Sequence, residues 1–126
     1  MAVIRVKMIP GFYLGDDAVL LAADRKGMEA FERALSATVR KENAPPHLIA
    51  SGTSHEFHIG GSAAQVQLEE GRVMWRLSRA SEILAMLASL TASIGPGHQY
   101  IDIDSPAQTL ILSKEEYLDA SWLNEN

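Results

Sequence analysis

The tetrapeptide His55-Glu56-Phe57-His58 sets two imidazoles and a carboxylate side by side, residue types that bind zinc or move protons. Their spacing works against a shared ion. Successive side chains on a strand face opposite ways, so His55 and His58 diverge. Glu56 and His58 share a face, but two ligands leave a zinc site incomplete. The pair of histidines four apart on a helix that zinc proteases use is absent. Just upstream, Ser51, Gly52, Thr53 and Ser54 bring hydroxyls near an imidazole without a Gly-x-Ser-x-Gly elbow. A small hydrolase built on the 51–54 loop with His55, Glu56 and His58 is the alternative reading, and a pocket joining those side chains would favour it. Gly60-Gly61-Ser62 lacks the P-loop lysine and, like Gly95-Pro96-Gly97, leads into a strand, so both read as turns. With no cysteine, thiolate metal sites, disulfides and cysteine nucleophiles are excluded together. The expectation is a protein with no metal, no cofactor and no enzymatic activity.

A second group lies near the carboxyl end. Asp102 and Asp104 fall on one strand face about 6.6 Å apart, with Tyr100 on the same face. Two such acids suit a cation, an acid–base pair or the arginines of a protein partner. Acid–base work would require burial to raise one pKa, and the amphipathic neighbour Tyr100 argues for a wet face. Charge points the same way. Residues 1–60 carry seven basic and seven acidic side chains, so the net charge of −5 belongs to the second half. From Asp102 onward six acids, Asp102, Asp104, Glu115, Glu116, Asp119 and Glu125, face Lys114 alone. Such a field repels nucleic acid and anionic membrane and speeds encounter with a basic partner.

Positioning these groups requires the following elements. At 126 residues the chain is one domain, 1–126, with enough length for a core without staples. Ile4, Val6 and Met8 alternate with Arg5 and Lys7 as a half-buried strand, and Ala18-Val19-Leu20-Leu21-Ala22 is a short apolar strand. Asp24 caps a helix from Arg25, whose buried stripe is Met28, Phe31, Leu35 and Val39; Asn43-Ala44-Pro45-Pro46 ends it. Residues 47–54 read as a connection. Strands over 54–59, 64–69 and 72–77 follow, separated by tight turns, as a three-strand meander in which Trp75 faces the core with Val73 and Leu77. Ser78 caps a helix over 79–92. A hairpin follows, with strands over 98–104 and 109–112 around a Ser105-Pro106 turn. Ser113-Lys114-Glu115-Glu116 has the form of a capping box, which predicts a short helix from Lys114. The fold class is α+β: a single, mostly antiparallel sheet packed against two main helices, with a short C-terminal helix. No apolar run approaches a membrane span, and the start lacks a signal peptide's apolar stretch, so the expected location is cytoplasmic.

The runs Val73-Met74-Trp75-Arg76-Leu77, Pro96-Gly97-His98-Gln99-Tyr100-Ile101-Asp102-Ile103-Asp104 and Leu110-Ile111-Leu112-Ser113-Lys114-Glu115-Glu116-Tyr117 resemble a family of small bacterial immunity proteins. Members are encoded beside polymorphic toxins and neutralise them by binding. The likeness spans about residues 64–118; residues 1–60 bear no such resemblance. It implies a cytoplasmic, non-enzymatic toxin inhibitor, with Gly97, His98, Gln99, Tyr100, Asp102 and residues 113–117 at matching positions. Many toxins of such systems, nucleases among them, have basic clefts. The expected contact region is therefore Tyr100, Asp102, Asp104, Glu115, Glu116 and Asp119, presented to a toxin with a basic surface. A homodimer or other oligomeric module is the remaining alternative.

Overall fold

The computed structural model describes residues 2–13, 15–40, 47–60 and 64–116, apart from the side chains of Phe12, Tyr13 and His47. Ten elements follow one another: β1 (Ile4–Tyr13), β2 (Asp16–Ala23), α1 (Arg25–Val39), β3 (His47–Ala50), β4 (Thr53–Ile59), β5 (Gln65–Glu69), β6 (Arg72–Leu77), α2 (Ala80–Ala92), β7 (Gly97–Asp102) and β8 (Thr109–Lys114). The class is α+β as expected. The single sheet is not: the strands form two four-stranded mixed sheets, ordered β1-β2-β8-β7 and β3-β4-β6-β5.

The difference arises where a local turn signal competes with long-range pairing. The turns after Glu70 and Asp104 close antiparallel hairpins, β5–β6 and β7–β8. Ile59 and Gly60 do not lead into a neighbour, because β4 pairs in parallel with β6, Phe57 opposite Trp75, and β5 lies on the far side of β6. The 47–54 connection is itself a hairpin, β3 against β4, turning on Ser51 and Gly52, both at positive φ. Strand β2 pairs in parallel with β8. That central pair is covered on both faces, which is why Ala18-Val19-Leu20-Leu21-Ala22 is continuous rather than alternating.

A topological repeat emerges that the sequence does not display. Each half of the chain runs hairpin–helix–hairpin, and each sheet combines one hairpin from each half through a parallel pair of second strands. Exchanging the halves therefore exchanges the sheets. The two sheets also meet at an edge, where Asp104 N–H donates to Ala64 O (2.7 Å) and Val66 N–H to Ser105 O (3.0 Å). The connection between β7 and β8 contains a cis Ser105–Pro106 peptide bond.

Asp24 caps α1 as predicted: its Oδ1 accepts from Gly27 N–H at 2.6 Å and from Val3 N–H at 3.0 Å, tying the helix start to the chain before β1. Helix α2 begins one residue after Arg79, with no side-chain cap from Ser78. In the core, Phe31 of α1 stands edge-on to Phe57 and to Trp75, with ring centroids 5.2 and 5.1 Å away. Each such fully buried large side chain contributes about 1.5–3 kcal/mol through burial. Strand β8 continues through Ser113 and Lys114, both fully buried, so no helix starts at Lys114. The expected helix beyond Glu116 lies outside the described residues.

Candidate site on the edge strand

Strand β7 is an edge of its sheet. Its side chains alternate: His98, Tyr100, Asp102 and, just past its end, Asp104 are all exposed, whereas Ile101 and Ile103 are buried. The alternation read from the sequence therefore fixed which residues line up. Tyr100 is 44% exposed and receives the edge of the His98 ring, centroids 5.3 Å apart and 66° between planes. His98 Nδ1 in turn lies 3.2 Å from Glu116 Oε1.

Glu116 reaches this row because the chain reverses after β8. Glu115, at φ +60°, donates its N–H to Ala23 O at 2.7 Å, continuing the parallel ladder one step. Ser113 Oγ then donates to Glu116 Oε1 at 2.6 Å. The capping-box residues thus do find each other, but through the two side chains and at a strand end. The result is a continuous line, Glu116–His98–Tyr100–Asp102. His98 entered the sequence reading only through the resemblance; its alternation with Tyr100 was the signal that could have added it from the residues alone.

The other expected contacts divide. Asp104 is a strut: its Oδ2 accepts from Ala64 N–H at 2.6 Å while its own N–H donates to Ala64 O, clamping the two sheets. Glu115 is exposed at the far end of the row. Asp119 and Trp122 lie outside the described residues. Beside the row, a groove of about 100 Å³ separates β7 from α2, with Tyr100 and Asp102 on one wall and Arg79, Glu82, Ile83 and Met86 on the other. Arg79 is 3.7 Å from Glu82. On the same sheet face Arg5 and Lys7 of β1 stand three strands away, about 14 Å, so this face is acidic along one edge and basic along the other.

The hydrolase constellation is split by the sheet. His55 faces inward and is fully buried, stacked on Trp75 with 19° between planes. Its Nδ1 accepts from Trp75 Nε1–H at 3.1 Å, and burial pulls its pKa from 6.5 to about 4. Glu56 and His58 face outward, where Glu56 grips Arg72 with both oxygens, at 2.7 Å from Nε and 3.1 Å from Nη2. Ser51 Oγ accepts from Ile4 N–H at 3.2 Å. Among the described residues no hydrogen bond joins any of these hydroxyls to an imidazole. No group of three or more metal-binding side chains assembles among them either. Among the described residues no helix is long and apolar enough to cross a membrane. The chain matches no family model, no curated protein and no solved structure.

Proposed function

We propose that this protein is an immunity-type inhibitor that binds a toxin and docks through the outward row of β7, with Asp102 and Glu116 facing basic residues of the toxin and Tyr100 as the anchor between them. The observation that carries the reading is the juxtaposition itself. A tyrosine 44% exposed on a sheet edge, with Asp102 on one side and Glu116 reached through His98 on the other, joins a residue type enriched in protein-binding hot spots to charges that steer a cationic partner. Carboxylates placed along an edge speed capture of a cationic partner, and this suits an inhibitor whose target is lethal while free.

The test is association with the protein encoded beside this one. Tight binding is expected, with association slowing about tenfold from 0.05 to 0.5 M salt as charges are screened. Cells producing that neighbouring protein should survive only when this chain is present. Absence of binding, or of protection, overturns the reading.

A further inference from the structure

The two central strands of the first sheet, β2 and β8, are buried on both faces, but by different layers. Val19, Leu21, Ala23, Leu110 and Leu112 join the buried side chains of both helices in one core cluster. Leu20, Ala22 and Ile111 alternate with them, point the opposite way and fall outside that cluster, yet they are 0%, 0% and 3% exposed. Ser113, on the same outer face, is fully buried as well. The topological repeat supplies the comparison. In the other sheet the central pair is β4 and β6, and its outer face carries Glu56, His58, Arg72, Met74 and Arg76, each half-buried or exposed. One outer face is polar and open; the other is apolar and sealed. A further layer therefore lies on the outer face of β2 and β8, while the buried faces of both helices are committed to the core.

We propose that this outer face is the seat of the chain's own C-terminal segment, residues 117–126. The path of the chain leads there. Glu116, the last described residue, accepts from Ser113 Oγ and lies 3.2 Å from His98 Nδ1, and Ser113 and His98 pair on that face. Composition suits an apolar seat, with Tyr117, Leu118, Trp122 and Leu123 among ten residues. Charge suits it too: Arg5 and Lys7 border the face on β1, while the segment carries Asp119 and Glu125 and no basic residue. Reach is adequate, since the face is about 14 Å wide from β1 to β7 and ten residues cover about 15 Å even as a helix. Lys7 and Tyr100, which pair with Leu20 and Ile111 at the two borders, are both engaged, as a layer spanning the face requires. The seat borders the β7 row but does not depend on the toxin reading.

The test is NMR on the intact chain. Nuclear Overhauser contacts are expected from the Tyr117, Leu118 or Trp122 side chains to the Leu20 and Ile111 methyl groups. Because the chain has no cysteine, Asn124→Cys takes a single spin label without removing an apolar residue. That label should broaden the Lys7 and Leu20 amides more than those of Arg72 and Arg76 on the other sheet. Trp122→Ala should speed hydrogen exchange at Leu20 and Ile111 about tenfold as their cover loosens, and leave exchange at Phe57 and Trp75 unchanged. Should that variant fail to fold, the contacts and the spin label in the otherwise unaltered chain still decide. The proposal is overturned if residues 117–126 make no contact with Leu20 or Ile111, or if the label broadens both sheets equally. Contacts found only between differently labelled copies overturn it as well, and assign the face to a second copy of the chain.

Discussion

Lys114 holds the end of helix α2 from inside the protein: its Nζ donates to the carbonyl oxygen of Leu90 at 2.7 Å. The same ammonium donates to Ser93 O at 2.6 Å and approaches Ser93 Oγ at 3.3 Å. The side chain is fully buried, and among the described residues no carboxylate neutralises it. Three donors directed at the helix C-terminus, where the unpaired carbonyls concentrate negative potential, take that role. Lys114→Met keeps the length but leaves the carbonyls orphaned, and should cost about 2–3 kcal/mol. Lys114→Ala adds a cavity and should cost about 3–5 kcal/mol. Chemical denaturation would check both; a cost below about 1 kcal/mol for Lys114→Ala would mean that water replaces the ammonium freely.

The position of Lys114 also shows where sequence reading stops. A lysine after an apolar strand reads as surface, and with Ser113 and Glu116 it imitates a helix start. Its true partners lie 21 and 24 residues away, on a helix end that no local pattern connects to it. The core was more legible. Alternation placed Val73, Trp75 and Leu77 inward, and all three are buried; helical spacing placed Met28, Phe31, Leu35 and Val39 on one face, of which the first three are buried while Val39, in the last turn of α1, is 37% exposed. Strand partners were the blind spot. Gly60-Gly61 offers a hairpin, but Phe57 and Trp75 stack beneath Phe31 only if β4 and β6 lie side by side in parallel, and core packing outweighs the turn preference. One sequence signal does bear on sheet order: a strand apolar at every position, such as residues 18–22, belongs in the middle of a sheet covered on both faces. At the candidate site, alternation aligned Tyr100, Asp102 and Asp104, but nothing in it marked Asp104 as a strut.

His55 should make stability depend on pH. Its folded pKa is held near 4 by burial, against 6.5 when exposed. A base with a depressed folded pKa contributes fully above pH 6.5, and its contribution fades as pH falls toward 4, because the unfolded chain takes up the proton first. At 1.36 kcal/mol per pH unit the loss over that window is about 3 kcal/mol. Urea denaturation from pH 7 to pH 4 should show it. His55→Gln, which still accepts from Trp75, should flatten the slope; an unchanged slope would assign it to other groups.

Gly27 should resist the exchange that usually strengthens a helix. Replacing an internal glycine by alanine ordinarily gains about 1 kcal/mol. Here a Cβ would run into the backbone oxygen of Val3. Val3 cannot retreat cheaply, because it is held to Asp24 by a reciprocal pair, Val3 N–H to Oδ1 and Asp24 N–H to Val3 O. Gly27→Ala is therefore expected to destabilise by about 1–3 kcal/mol. A rise in melting temperature would show that the segment before β1 yields readily.

Asp102 and Asp104 sit two residues apart on one face, yet their substitutions should separate binding from stability. Asp102 is exposed, and no hydrogen bond of its side chain is described, so Asp102→Lys should change stability by less than about 0.5 kcal/mol. On the proposed function it should slow association with the toxin about three- to tenfold at low salt and leave dissociation little changed. Asp104→Ala removes the acceptor of Ala64 N–H at the junction of the two sheets, and should cost about 1–2 kcal/mol in stability. Its charge stands at the end of the row, so its effect on association should be smaller than that of Asp102→Lys. Stopped-flow association beside thermal melts reads both quantities on the same samples. Equal association rates for Asp102→Lys and the unmodified protein would move the docking surface off β7, while an unaltered melt for Asp104→Ala would remove the strut role.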